Sequence, residues 1–423
     1  MRYSLLIIAI LIAGRISAQE FSQISAGPGY GNQSFYTLES DQEQALPNES
    51  WDLAFSLVPG SAGVHFNEAT ASVMGAPAPF LEVYVAPGLT FEEVVDLSGV
   101  TDTLYNPESS WGEGAFNTPA DPSDPLDVGW GIRNAASGEV EGNKVFVIKL
   151  RDETYRKILI EGQNADGVYA VRTALLNGTG EVLFIVNPAN YGSSPLAFLS
   201  FSTGLVTASP SNWDFAFLRY RELLFDGNQP LQYAVTGILT APGVEVAQAD
   251  LVDPETVGFE GYADSLEARI DVIGEDWKYF NLSAFSWEII TDRAYFVKLP
   301  DNHIWKIQFI DFEGSSTGTA TFIKYDLGVV TSTQRPESMI RDFGVFPNPV
   351  ADQLNLAFSL NNQPERVEVQ VFDLTGRLVW SVPIQGHQGF HGLSLQVPDT
   401  LTGLCQVVIA TDGGQVSQLV LFQ

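Results

Sequence analysis

One cysteine, four histidines and three methionines in 423 residues leave little of the chemistry that thiols, metals and general bases supply. Cys405 has no partner for an internal disulfide, so packed cores rather than covalent staples must hold the chain. Basic side chains are scarce as well: 21 Lys and Arg against 51 Asp and Glu give a formal net charge of −30. A surface of that sign repels phosphate backbones and anionic headgroups, which argues against nucleic acid and anionic lipid as partners. No apolar run after residue 18 is long enough to span a bilayer, and helical periodicity is rare; only 89–99 and 263–274 have the spacing of short helices. A P-loop and a G-x-G-x-x-G after a strand are both missing. Among 51 acids nothing singles out a pair of carboxylates for glycoside hydrolysis.

What is present begins with a leader. Arg2, the apolar run Leu5–Ala13 and the small-residue exit Ile16-Ser17-Ala18 have the form of a secretory signal over 1–18, cut before Gln19. Beyond it, short runs rich in Val, Ile, Phe and Tyr are punctuated by Gly, Pro, Asn and Asp, as in "KVFVIKLRD" and "GTATFIKYDLG". That pattern predicts an all-β protein. A phrase also occurs twice: "SWDLAF" (50–55) and "NWDFAF" (212–217). Tyr36 and Phe198 each stand 15 residues ahead of the Trp, and "KVFVIKLRDETYRKILI" (144–160) matches "RAYFVKLPDNHIWKIQF" (293–309), with Lys149 and Lys157 answering Lys298 and Lys306. Landmarks repeated in one order predict an internal duplication, with copies over 19–190 and 191–331, a polar linker over 332–344 and a small β-sandwich over 345–423. Strand alternation puts Trp51, Leu53 and Phe55 on one face and Asp52 with Ala54 on the other, the Asp free to pair with a lysine or cap a turn.

The last block resembles the C-terminal sorting domain of the type IX secretion system of Bacteroidota, on Pro347-Asn348-Pro349, on Asp373, Gly376 and Arg377 within "VEVQVFDLTGRLVW", and on Gly403. Cys405 and a final run without Lys depart from the usual pattern. The resemblance implies engagement with the type IX machinery, and secretion or outer-membrane surface attachment after periplasmic export. The duplicated region is similar to the HmuY family of secreted or surface β proteins, carried by both Trp-Asp phrases, both lysine runs and the Thr317-Gly318…Phe322 finish. That resemblance implies a haem held by two axial His or Met side chains from mid-domain loops. Between Met74 and His303, however, this chain has neither residue type, so no axial pair carries over.

Several constellations remain open. His65 and Met74 are a pair haem iron accepts, and equally a strand residue and a core filler. His303 belongs to a Pro-Asp-Asn turn, and His387 and His391 to a glycine-rich loop. Asp121, Asp124 and Asp127 offer hard oxygens to calcium without the EF-hand order, or line a solvated loop. Trp111 and Trp130, with Tyr105 and Phe116, and Trp277, Tyr279, Phe280 and Trp287 in the second copy, either build a flat apolar ligand site or pack cores. The resulting expectation is an exported, non-enzymatic binding protein for haem or another hydrophobic ligand. The alternative is an adhesive surface protein, and a hydrolase ranks third.

Overall fold

The computed structural model describes residues 19–73, 76–225, 227, 229–329, 340–346, 348–360, 363–364, 366–373, 376–387, 389–398, 400–411 and 414–423. The expected leader 1–18, Met74 and Pro347 lie outside them. The protein is all-β, as its short β-branched and aromatic runs require. Residues 89–99 and 263–274 carry only single tight turns, Leu97–Gly99 and Ala263–Ser265, in place of the helices their spacing suggested.

The chain divides into two compact units, Met1–Val330 and Thr331–Gln423. Within the first, the duplication is plain in the sheets, but its halves do not separate at residue 190. The strand Leu53–Ser56 of the first Trp-Asp phrase pairs with Val64–Phe66 on one side and with Leu196–Ser200, from beyond that boundary, on the other. Leu205–Ala208 completes this four-stranded sheet. The second phrase repeats the order: Phe215–Phe225 pairs with Pro230–Thr240 and with Asn32–Thr37, and Gln42–Pro47 completes the sheet. Each hairpin that precedes a Trp-Asp phrase has therefore crossed to the other copy's strand.

The larger sheets repeat as well. Gln19–Ser25, Thr319–Val329, His303–Phe312, Arg293–Lys298 and Glu245–Asp250 lie side by side in one. Val182–Val186, Tyr169–Leu175, Tyr155–Gln163, Val145–Lys149 and Glu82–Ala86 take the same order in the other, which adds Thr101–Leu104, Gly131–Arg133 and Val140–Gly142. The unit thus consists of one lobe built from about 51–208 and a second built from about 213–329 and closed by 19–47.

Leu53, Phe55, Val64 and Leu199 meet Phe146, Ile158 and Val171 in the first core, while Phe215 and Phe217 meet Phe309, Phe322 and Ile24 in the second. Trp51, Ala54, Leu196 and Phe198 belong to the second core too, so the first small sheet is buried on both faces and the lobes share an interior. The register also corrects a landmark. Phe198 pairs with Ala54, and it is Phe35, not Tyr36, that pairs with the equivalent Ala216. One residue of offset matters here because it exchanges the faces of a strand.

Among the described residues the second unit has seven strands in two sheets around Leu354, Phe358, Val369, Val407 and Val420. Its first strand, Ile340–Phe346, begins inside the stretch 332–344 expected to be linker, because Ile340 packs into that core.

Candidate functional site

The Trp-Asp phrase organises the junction between the lobes. The chain bends at Asp52 and Asp214, so each Trp departs from strand alternation. Trp51 sides with Ala54 and stacks on Phe198 at 4.5 Å, whereas Leu53 and Phe55 enter the first lobe. Trp213 meets Phe35 edge-on at 5.1 Å. The Asp side chains account for the bend: Asp52 accepts the Phe201 N–H at 2.7 Å, and Asp214 accepts the Leu38 N–H at 2.7 Å. Each aspartate therefore fastens the hairpin that crossed from the other copy. Asp52 also takes a hydrogen bond from Arg151 at 2.9 Å. In the second copy Pro300 occupies the place of that arginine. Burial, with Asp301 and Glu39 nearby, raises Asp214 to about 6 despite the Leu38 N–H.

Beside this junction lies a cavity of about 40 Å³, lined by Trp51, His65, Glu68, Trp111, Arg219 and Arg221 among others. His65 sits on Val64–Phe66, fully buried, and its Nε2 donates to the Trp111 carbonyl at 3.1 Å. Burial lowers its pKa to about 4, so the imidazole is neutral. The Trp111 ring tilts against it at 5.3 Å, and its own Nε1 donates to the Thr240 carbonyl at 2.8 Å. Glu68 receives the Asn106 N–H at 3.1 Å and the Arg221 N–H at 3.4 Å, yet burial lifts it to about 7. Arg221 lies over the rings of Phe80 and Tyr105. The indole Nε1 of Trp51 and the Nε of Arg219 find no partner among the described residues. The structure thus brings His65 and Trp111 together, but in a space far below the hundreds of Å³ of a usual ligand pocket, and with the imidazole Nε2 already engaged.

The other expected residues are dispersed. Trp130 is fully buried in the first lobe with its Nε1 on the Ala62 carbonyl, a core role rather than a ligand platform. Phe116 packs on Phe146 in the same core. Asp121, Asp124 and Asp127 spend their oxygens on the backbone N–H groups of Ser123, Leu126 and Gly129, and Asp127 pairs with Lys144. No cluster of three metal-binding side chains occurs among the described residues. His303 is drawn from its turn against Trp305 and bonds Asp326. His391 lies 2.7 Å from the His387 carbonyl.

The repeated lysines play repeated parts. Lys149 pairs with Glu82, and Lys298 with Glu245. Lys157 is buried with its ammonium on the carbonyls of Phe91 and Glu93, and Lys306 likewise holds those of Glu255 and Val257.

An outward-facing feature comes from the second copy's aromatics. Lys278–Asn281 and Ser286–Ile289 form a two-stranded hairpin. Trp277 is buried, and Trp287 packs on Phe312, which anchors the base. Asn281 accepts the Ser283 and Ala284 N–H groups and also bonds Glu288, which Tyr279 bonds in turn. On this braced turn Leu282 is 76% and Phe285 80% exposed, with Phe280 edge-on to Phe285. Phe285 holds φ 52°, a rare conformation for a bulky residue. The sequence pointed to Tyr279, Phe280 and Trp287 but not to Leu282 and Phe285; two aromatic runs flanking Asn-Leu-Ser-Ala were the available signal.

In the second unit the sorting residues shape turns. Asn348 braces the last strand through both ends of its side-chain amide, donating to the Leu419 carbonyl and accepting the Leu421 N–H at 3.0 Å. Asp373 and Arg377 close a turn through backbone and side-chain bonds, with Gly376 at φ 81° and Gly403 at φ 90°.

Residues 344–422 match the secretion system C-terminal sorting domain family. That match places the chain on the type IX route, with a secreted or outer-membrane-surface destination. No helix among the described residues is long and apolar enough to cross a membrane. No curated protein matches the chain. Among solved structures, dimeric latent PorU from Porphyromonas gingivalis is similar at 12% identity, covering 67% of this chain and 32% of that one, with a TM-score of 0.16. The chain spans about a third of that protein's length, and so low a score carries no argument about fold or function.

Proposed function

We propose that the exported chain is a non-enzymatic binding protein of the cell surface or its surroundings, which engages other proteins through the aromatic hairpin 278–289. What supports this reading is the braced turn that holds Leu282 and Phe285 in water, with Phe280 beside them. Large apolar side chains presented on a rigid tip cost little entropy to bury against a partner, and contacts of this kind dominate protein interfaces. The two lobes then serve as a duplicated HmuY-like scaffold without haem. His65 gives its Nε2 to a carbonyl, and the space beside it is too small for a porphyrin.

The mature chain is tested on arrays of immobilised extracellular-matrix proteins and of glycans, with haem titrated separately. A protein ligand whose affinity falls at least tenfold in Phe285→Ser, the fold being intact, is the expected outcome. A saturable Soret shift would overturn the reading in favour of haem, and binding confined to glycans would overturn the choice of partner.

A further inference from the structure

Each large sheet of the first unit ends on the same topological edge, and the two edges are built differently. In the second lobe the edge is Gln19–Ser25, polar in sequence, with the Ser25 N–H taken by Glu43. In the first lobe it is Val182–Val186, "VLFIV", with no charge, proline or bulge. It pairs only with Tyr169–Leu175; among the described residues no hydrogen bond reaches its free side. Phe184 and Val186 turn toward the first core, while Leu183 and Ile185 are about half exposed on the other face. Natural proteins usually protect such an edge with charge, proline or a covering segment.

We propose that Val182–Val186 is a self-association edge, on which a second copy of this chain adds its own Val182–Val186 antiparallel, joining two sheets across a two-fold axis. The sequence is nearly palindromic about Phe184. With the axis at Phe184, Val182 lies opposite Val186 of the second copy and Leu183 opposite Ile185, so all four outward aliphatic side chains form one patch, the isologous pattern a two-fold demands. Charge selects the same arrangement. Antiparallel pairing sets Glu181 against the neutral Asn187, whereas parallel pairing would stack Glu181 on Glu181 in a molecule of net charge −30. A five-residue edge covers less than the roughly 1,000 Å² of a stable dimer, so association is weak in dilute solution and favoured where copies are crowded, as on a cell surface.

Sedimentation equilibrium of the mature chain should show a monomer–dimer equilibrium over ~10 µM to ~1 mM. Deuterium exchange at the amides of 182–186 should slow as concentration rises. Ile185→Lys should weaken association at least tenfold, and Phe21→Lys on the equivalent polar edge should leave it unchanged. A strictly monomeric chain at 1 mM, exchange independent of concentration, or equal weakening by both lysine variants overturns the proposal. If Ile185→Lys fails to fold, the exchange of the wild-type amides decides.

Discussion

At the scale of single residues, the junction concentrates buried groups whose proton affinities differ from those of the unfolded chain. Glu68 is raised to about 7 by burial, so the folded state keeps its proton where the unfolded chain has lost it. That contribution is fully present below pH ~4, is lost as pH rises toward 7, and changes no further above it. Glu68→Gln cannot titrate but turns an amide NH2 toward one of the two backbone N–H groups that Glu68 accepts, so it should cost stability at pH ~4, and that cost should be smaller at pH ~8 by up to about 3 kcal/mol. Urea unfolding of both proteins at the two pH values measures the difference; an equal effect at both would show that Glu68 does not titrate there. His65 works in the opposite direction: lowered to about 4 by burial, it costs stability as pH falls from about 6.5 toward 4. The Asp of each repeated phrase was legible as a capping residue. Its partner was not, because the bonded N–H belongs to the other copy.

At the scale of elements, the duplicated lysine hairpins are fastened by the same device. Lys157 and Lys306 each send an ammonium to two carbonyls of a loop that covers the sheet. Lys157→Met retains the aliphatic stem and leaves the carbonyls of Phe91 and Glu93 without their donor, at an expected cost of about 1–3 kcal/mol. Lys306→Met should behave alike. Exchange of loop amides around 91–95 and 255–259 should accelerate in the respective variants, and unaltered exchange would mean that the lysines do not fasten the loops. The hairpins themselves were readable from alternation and turn residues. Lysine burial was not, since an eight-residue spacing fixes neither the face of the sheet nor the loop that covers it.

At the scale of the whole molecule, segment 19–47 precedes the first lobe in the chain yet supplies the closing strands of the second. Removing 19–47 should open 213–329 to proteolysis while 53–208, whose sheets have all their strands, stays protected. Limited digestion with mass-spectrometric mapping reads this out, and equal protection of both regions would refute the crossed arrangement. The sequence alone determined the all-β class, the repeated landmarks and the sorting domain, since each rests on local periodicity, turn chemistry or a contiguous motif. Only the tertiary structure decided that the copies exchange hairpins, that each Trp leaves its strand's face, and that His65 lies buried against a carbonyl. Each Trp-Asp phrase leads into a strand through the same Ala-Phe, and nothing local in either phrase selects its hairpin; the choice belongs to long-range packing, which buries Trp51, Phe198, Phe35 and Trp213 together in one shared core.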